Sequence, residues 1–257
     1  MPVIYDALSS WYPLLDPLAD HEEEAADIAE ALLAAGVPEG GALLELGCGA
    51  GNNAHFLSRR FRCTLTDLSP QMLERSRAQN PGCTHVLGDM RTLRLEGRFD
   101  AVVVHDALCY LLTEADLLAM MTTAFVHLKP GGMAHFAPDC VRETFCEWTE
   151  EHEADDGART MRTLSWAWDP DPTDTRYAVE YAYLMREDGV VRVVHDHHEE
   201  GLFPTETWER LLREAGFESR RLPREAEGIE GTGYCAFGFL GIKPGEGAHL
   251  NSAVDDH

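Results

Sequence analysis

The chain has 257 residues, 44% of them hydrophobic, enough for one large domain or one domain with an insertion. Its 45 acids against 21 bases leave a net charge of −24, which repels phosphate backbones and anionic headgroups, so neither nucleic acid nor membrane is an expected partner. No apolar run approaches the roughly 18–20 residues of a membrane span, residues 1–20 lack the basic start and apolar core of a signal peptide, and the seven cysteines are scattered and never in C-x-x-C, which fits reduced thiols in a cytoplasmic protein and no zinc or disulfide frame.

Residues 1–19 carry Tyr5, Trp11 and Tyr12 in a short aromatic segment and read as a lid. Asp20, with Glu23 at the capping-box position, predicts a helix over 21–35 ended by Gly36. Residues 42–46 are an apolar strand, followed by Gly47, Gly49 and Gly51 in a turn and then a helix. A second strand at 63–66 ends at Asp67, and Ser69 with Pro70 caps the next helix. Residues 101–104 are continuously apolar, as in a parallel sheet buried on both faces. Thr113 is expected to cap a helix running to His127, and 133–138 is the next strand. The rhythm breaks over 139–200. There 177–184 and 191–197 alternate around an Asp188-Gly189 hairpin turn, with one more strand expected near 162–168. An antiparallel β insertion after the fifth strand follows, expected to cap a substrate or an oligomer contact, with a homodimer among the expected states. Thr205 is expected to cap a helix ending at Gly216, and 217–222 and 234–242 supply two last strands. The expected units are therefore 1–19, the main domain at 20–138 and 201–243, the insertion at 139–200, and a disordered tail at 244–257.

The chemistry concentrates at the glycine turn. A strand, a glycine turn and a helix N-terminus let a ligand approach bare backbone. Asp67, twenty residues after Gly47, ends the neighbouring strand, where a carboxylate can accept both hydroxyls of a ribose. The spacing is G-x-G-x-G rather than the G-x-G-x-x-G of a pyrophosphate site. Glu45 beside the turn suits an ammonium or sulfonium and disfavours a pyrophosphate. These features predict an adenosine-type cofactor at the switch point of a parallel sheet.

Glu45-Leu46-Gly47-Cys48-Gly49-Ala50-Gly51 resembles the first motif of class I S-adenosylmethionine (AdoMet) methyltransferases. Asp67-Leu68-Ser69-Pro70-Gln71-Met72-Leu73 resembles their second motif and Gly88-Asp89-Met90-Arg91 their third. Phe99-Asp100 opens the fourth strand, and Leu128-Lys129-Pro130-Gly131-Gly132 resembles the turn before the fifth. The resemblance implies an α/β, Rossmann-like sheet of seven strands with the last antiparallel. It implies AdoMet as cofactor, with Glu45, Gly47, Cys48, Gly49 and Asn52 around the turn. Asp67 would hold the ribose, with Leu68 and Met72 beside adenine. Gly88, Asp89 and Met90 would line the base, Asp89 meeting its amino group, with His105 and Asp106 also along the cofactor.

Arg98-Phe99-Asp100, Tyr110-Leu111, Glu143-Thr144-Phe145 and Glu200-Gly201-Leu202-Phe203 extend a looser similarity to the N,N-dimethyltransferases of deoxyaminosugars. In that family an N-terminal aromatic segment folds over AdoMet, which would assign Trp11 and Tyr12 to the cofactor. A small-molecule acceptor is implied, most simply an amine, with O-methylation open. A nucleotide-linked acceptor would need local positive charge, for which Arg142, Arg159 and Arg162 are the candidates.

Ligands in open α/β sheets sit at carboxyl strand ends, so His105 and Tyr110 are the candidate catalytic residues. His195, His197, His198, Glu199 and Glu200 include metal-ligand types, but strand alternation joins only His195 and His197 and sets no third ligand, so no metal is expected and these residues are read instead as helping to line the substrate pocket. A Rossmann-like NAD oxidoreductase and a non-catalytic AdoMet-binding protein are the competing readings.

Overall fold

The computed structural model describes residues 2–223, 235 and 237–245. Its main sheet uses β1 (Ala42–Leu46), β2 (Arg62–Asp67), β3 (Thr84–Leu87), β4 (Phe99–His105), β5 (Leu128–Ala137), β10 (Glu218–Pro223) and β11 (Phe237–Ile242). The order is β10-β11-β5-β4-β1-β2-β3. β1 runs parallel to β2 and β4, while β11 is antiparallel to β5 and β10. The strand order reverses between β1 and β4, which leaves a crevice at their carboxyl ends.

The apolar strands bury both faces, as their unbroken hydrophobicity requires. Leu44, Leu46, Val102 and Val104 pack in one layer with α5 (Glu114–His127) and α6 (Thr205–Glu214). Leu43, Ala101 and Val103 pack in the other with α2 (Glu22–Ala34) and α3 (Asn52–Leu57).

Two of the expected helix caps hold and two do not. Ser69 Oγ accepts the Met72 N–H at 3.1 Å ahead of α4 (Pro70–Gln79), and Thr113 Oγ1 accepts the Asp116 N–H at 3.1 Å ahead of α5. Gly36, at φ +106°, ends α2 as expected. Asp20 does not cap that helix: the chain enters through a 3-10 turn, Leu18–His21, which puts His21 at the cap position. Thr205 is the first residue of α6 rather than its cap. Its N–H and hydroxyl donate to the Glu143 carboxylate at 3.0 Å, so the cap comes from a distant segment that local sequence could not reveal.

The insertion is a second sheet, ordered β6 (Trp148–Asp155), β7 (Arg159–Trp168), β8 (Arg176–Glu187) and β9 (Val190–Gly201), antiparallel throughout. Asp188 and Gly189 both take positive φ, the geometry of a tight hairpin. β6 was not expected: its Glu150, Glu151 and Glu153 hide the alternation of an edge strand. The N-terminal segment, including α1 (Tyr12–Leu15), lies on the inner face of this sheet, where Ile4, Leu8, Trp11 and Leu14 share a core with Met161, Tyr183 and Met185. The expected tail at 244–257 lies outside the described residues except for 244 and 245.

Candidate active site

A cleft of about 480 Å³ opens at the carboxyl ends of β1, β2 and β4, roofed by the N-terminal segment and by β9. The glycine turn forms its floor. Gly47 has φ +76°, and a Cβ there would stand 2.3 Å from the Ala107 Cβ. Gly51 has φ +76° as well, and its missing Cβ leaves room for the Asn80 amide and the Ser76 hydroxyl. Both positions therefore demand glycine. Asp67 braces the turn: its Oδ2 accepts the Gly49 N–H at 2.9 Å and its Oδ1 the Ser69 N–H at 2.7 Å. Each oxygen keeps a second lone pair for a ligand hydroxyl. Burial raises the Asp67 pKa, against the pull of those N–H donors.

Glu45 lies beneath the turn, 4% exposed, and its Oε2 has no hydrogen-bond partner. Burial pushes its carboxyl up to about 8, only partly offset by His105. An orphaned buried carboxyl oxygen facing a cleft is what a cationic ligand would satisfy. His105 stands beside it, in charge contact with Glu24 and Asp106 at 2.7 Å each. Burial alone would lower its pKa, but the two carboxylates raise it well above the usual histidine range. Both of its ring nitrogens thus face a carboxylate oxygen. Asp106 takes φ +50°, a strained conformation for a residue with a side chain, of the kind that clusters at functional sites. His21, Glu24 and Asp106 bring ligand-type atoms within 4.8 Å of one another. His21 is already bonded to Asp16 at 2.8 Å, so this corner reads as a charge-balanced network rather than an open metal cage.

Of the residues expected from sequence, Tyr12, Glu45, Gly47, Cys48, Gly49 and Asn52 line the floor and one wall. Asp67, Leu68, Met72, Gly88, Asp89 and Met90 line the far end, and His105, Asp106 and Tyr110 the near one. Asp89 accepts Arg91 at 3.0 to 3.1 Å from Nε, so its carboxylate is oriented before any base arrives. Trp11 is a correction. It is 2% exposed in the core between the N-terminal segment and the insertion, with the Arg159 and Arg192 guanidiniums 5.1 and 5.3 Å from its ring. The large apolar ring is worth more buried there than against a polar cofactor.

The opposite wall draws on the insertion residues that the sequence suggested for a substrate pocket, but the sequence did not give their partners. The Tyr110 hydroxyl is 3.1 Å from the Tyr5 hydroxyl and 3.2 Å from His198 Nδ1. His198 Nε2 is 3.2 Å from Asp196 Oδ2, which also accepts the Val3 N–H at 2.8 Å. Glu200 accepts the Tyr177 hydroxyl and lies 3.7 Å from His198. The available signal was the period-two set Asp196, His198, Glu200 on one strand face. His195 and His197 lie on the other face of that strand and share Glu180 at 2.5 and 2.8 Å, His197 also lining the cleft with His198 and Glu199. Burial holds the Tyr110 and Tyr5 phenols well above their usual pKa, so both stay protonated.

Residues 43–132 match the methyltransferase domain family. The chain is 32% identical over 200 residues to a dTDP-3-amino-3,4,6-trideoxy-α-D-glucopyranose N,N-dimethyltransferase from Streptomyces venezuelae, covering 77% of this chain and 83% of that one. The chain belongs to the AdoMet-dependent methyltransferases. Its fold superposes on the crystal structure of DesVI from Streptomyces venezuelae with a TM-score of 0.79 at 28% identity, over 93% of this chain and 97% of the other. CalS10 from Micromonospora echinaspora, an amino pentose methyltransferase solved with bound AdoMet, superposes with a TM-score of 0.77 at 25% identity, covering 93% and 97%. The methyltransferase uses AdoMet, and the NAD-dependent reading falls. The bare glycine floor and the unpartnered Glu45 oxygen fit that sulfonium cofactor. Among the described residues no helix of this methyltransferase is long and apolar enough to cross a membrane.

Proposed function

We propose that this methyltransferase transfers the methyl group to the nitrogen of a small amine, held between the end of β4 and the insertion. AdoMet supplies an electrophilic methyl on a good leaving group. The protein aligns the acceptor and excludes water, a contribution on the order of 7–11 kcal/mol in well-oriented systems. Asp67 and the turn hold the cofactor's sugar end, and Glu45 with the His105–Asp106 corner receives its cationic end.

The observation that carries the reading is the chain Tyr5–Tyr110–His198–Asp196 on the acceptor wall. An ammonium must lose a proton before it can attack. His105 has both ring nitrogens engaged by carboxylates, Nε2 by Glu24 and Nδ1 by Asp106 at 2.7 Å, so neither is open to the acceptor. Tyr110 stays a phenol and relays. We assign the His198 proton to Nε2, which faces the Asp196 carboxylate at 3.2 Å; Nδ1, 3.2 Å from the Tyr110 hydroxyl, then carries the lone pair. His198 is thus the proton acceptor, with Asp196 orienting it and balancing its charge. Relatives named as aminosugar N,N-dimethyltransferases support a nitrogen acceptor. The same dyad would serve a hydroxyl, so the acceptor atom is open to direct test.

Tritium transfer from AdoMet to a panel of small amines and matched alcohols should label amines. In His198→Asn the rate should fall at neutral pH and recover as pH rises toward the amine's own pKa. Labelling of alcohols alone, or an unchanged pH profile in the variant, would sink this assignment.

A further inference from the structure

We propose that the cavity beside the cofactor cleft is a binding site for an oxyanion, a phosphate or carboxylate group on a small molecule, held by the Arg75 guanidinium. The cavity lies between the N-terminal segment and α4, measures about 680 Å³ and shares Tyr12, Asp16 and Asn52 with the cleft. That size falls within the roughly 300–1,000 Å³ of small-molecule sites. Methyl transfer as described above makes no use of it.

The period of α4 builds the site. Gln71, Arg75 and Gln79 stand four residues apart and share the helix face turned to the cavity. Both glutamines are fastened. Gln71 Nε2 donates to Asp6 Oδ1 at 2.6 Å, and Gln79 Nε2 donates to the Gly51 carbonyl at 3.2 Å and to Asn52 Oδ1 at 3.0 Å. They tie the N-terminal segment and the start of α3 to α4, with Arg75 between them. Arg75 is half-buried, and its buried Nε has no hydrogen-bond partner.

The two acids on the lining do not answer it. Asp16 is saturated: Oδ1 meets His21 at 2.8 Å, and Oδ2 accepts the Tyr12 hydroxyl at 2.5 Å and Asn52 Nδ2 at 2.8 Å. Glu74 is exposed and offsets only part of what opposes the Arg75 charge, which is burial and the positive charge of Arg159. Arg159 donates to the carbonyl of Ser10, next to the lining Ser9, so a second cation is fixed near the cavity.

An arginine cannot shed its proton to relieve this. A half-buried guanidinium with an unbonded N–H and an unbalanced charge is stabilised by a group that brings both a lone pair and a negative charge. Water brings only the first. The planar fork matches a carboxylate or a phosphate, and the cavity has room for the molecule that carries it. In a chain of net charge −24, local cations are what let an anion approach. Because the cavity adjoins the cleft, the group has two sources: a separate small molecule, or the carboxylate of AdoMet itself.

The test titrates inorganic phosphate into the full chain by calorimetry at constant ionic strength, with and without saturating S-adenosylhomocysteine. The parent should bind phosphate saturably, and Arg75→Gln should weaken that binding by about tenfold or more, the worth of one charged hydrogen bond. Arg75→Lys, which keeps the charge and loses the fork, should fall between them. Phosphate should raise the melting temperature of the parent and not that of Arg75→Gln. Phosphate binding that persists beside S-adenosylhomocysteine supports a separate small molecule. Displacement of phosphate by S-adenosylhomocysteine, with weaker S-adenosylhomocysteine binding by Arg75→Gln, supports the cofactor's carboxylate. No saturable binding by the parent, or equal binding by the parent and Arg75→Gln, overturns the proposal.

Discussion

At the scale of single residues, the cofactor end is governed by two carboxyl groups in opposite situations. Asp67 is stitched to two backbone N–H groups and stands ready for two hydroxyls. Asp67→Ala should weaken AdoMet binding by about 2–4 kcal/mol, read by calorimetry, because a charged acceptor is lost to both hydroxyls. Binding as tight as the parent's would remove the ribose assignment. Glu45 is buried and its carboxyl titrates at about 8 in the empty protein, so at pH 7 it is mostly protonated. An arriving cation favours the carboxylate and lowers that pKa. AdoMet binding at pH 7 should therefore release a proton, and affinity should rise between pH 6 and pH 8. Calorimetry in two buffers of different ionisation enthalpy measures the release directly. Glu45→Gln should abolish the buffer dependence, and a parent protein without it would show that Glu45 does not meet the cation. The same shift bears on stability. The folded pKa lies above the unfolded value of 4.5, so the unliganded protein loses stability as pH rises from there through about 8, and the Gln variant should not.

At the scale of elements, the N-terminal segment reads in sequence as a detachable lid, and the structure makes it part of the insertion's core. Its Ile4, Leu8, Trp11 and Leu14 cover Met161, Tyr183 and Met185, and Val3 is tied to Asp196 behind the acceptor wall. Removing residues 1–19 would uncover that core, so the whole segment cannot be deleted without structural cost. A single replacement separates the roles. Trp11→Ala should cost about 3–5 kcal/mol in urea unfolding, the usual range for a buried large aromatic, while leaving AdoMet affinity nearly unchanged. A large loss of AdoMet affinity with little loss of stability would restore Trp11 as a cofactor contact. Segment and insertion meet in the Tyr5–Tyr110–His198 chain, so this wall of the cleft depends on the two packing together.

At the scale of the molecule, the outer face of the insertion sheet is unlike the rest of this acidic surface. Leu164, Trp166, Leu184, Val191 and Val193 are all 42% exposed or more, and Leu184 sits directly across from Val193. An exposed apolar patch of this kind marks an interaction surface. The expected state is a homodimer through this face, checked by sedimentation, with Trp166→Glu shifting it to monomer. A parent protein that sediments as monomer at micromolar concentration would refute that expectation.

The sequence by itself determined the strand–turn–helix at the floor of the cleft, the Asp67 position at a strand end, the parallel character of the central strands and the existence of a β insertion. Those features are local: a glycine whose Cβ would collide, an acid at a strand end, and hydrophobic runs of period two or none each write their own signature. Only the tertiary structure decided the partners. Glu143 caps α6 from 62 residues away, Val3 reaches Asp196 across 193, and Tyr110 reaches His198 across 88. Charge likewise counts only in three dimensions. Arg142, Arg159 and Arg162 look available in a linear chain, and folding commits each to an acid or a carbonyl before a substrate arrives. Desolvation and pairing depend on what surrounds a group in space, and neighbours in space are what a linear spacing does not encode.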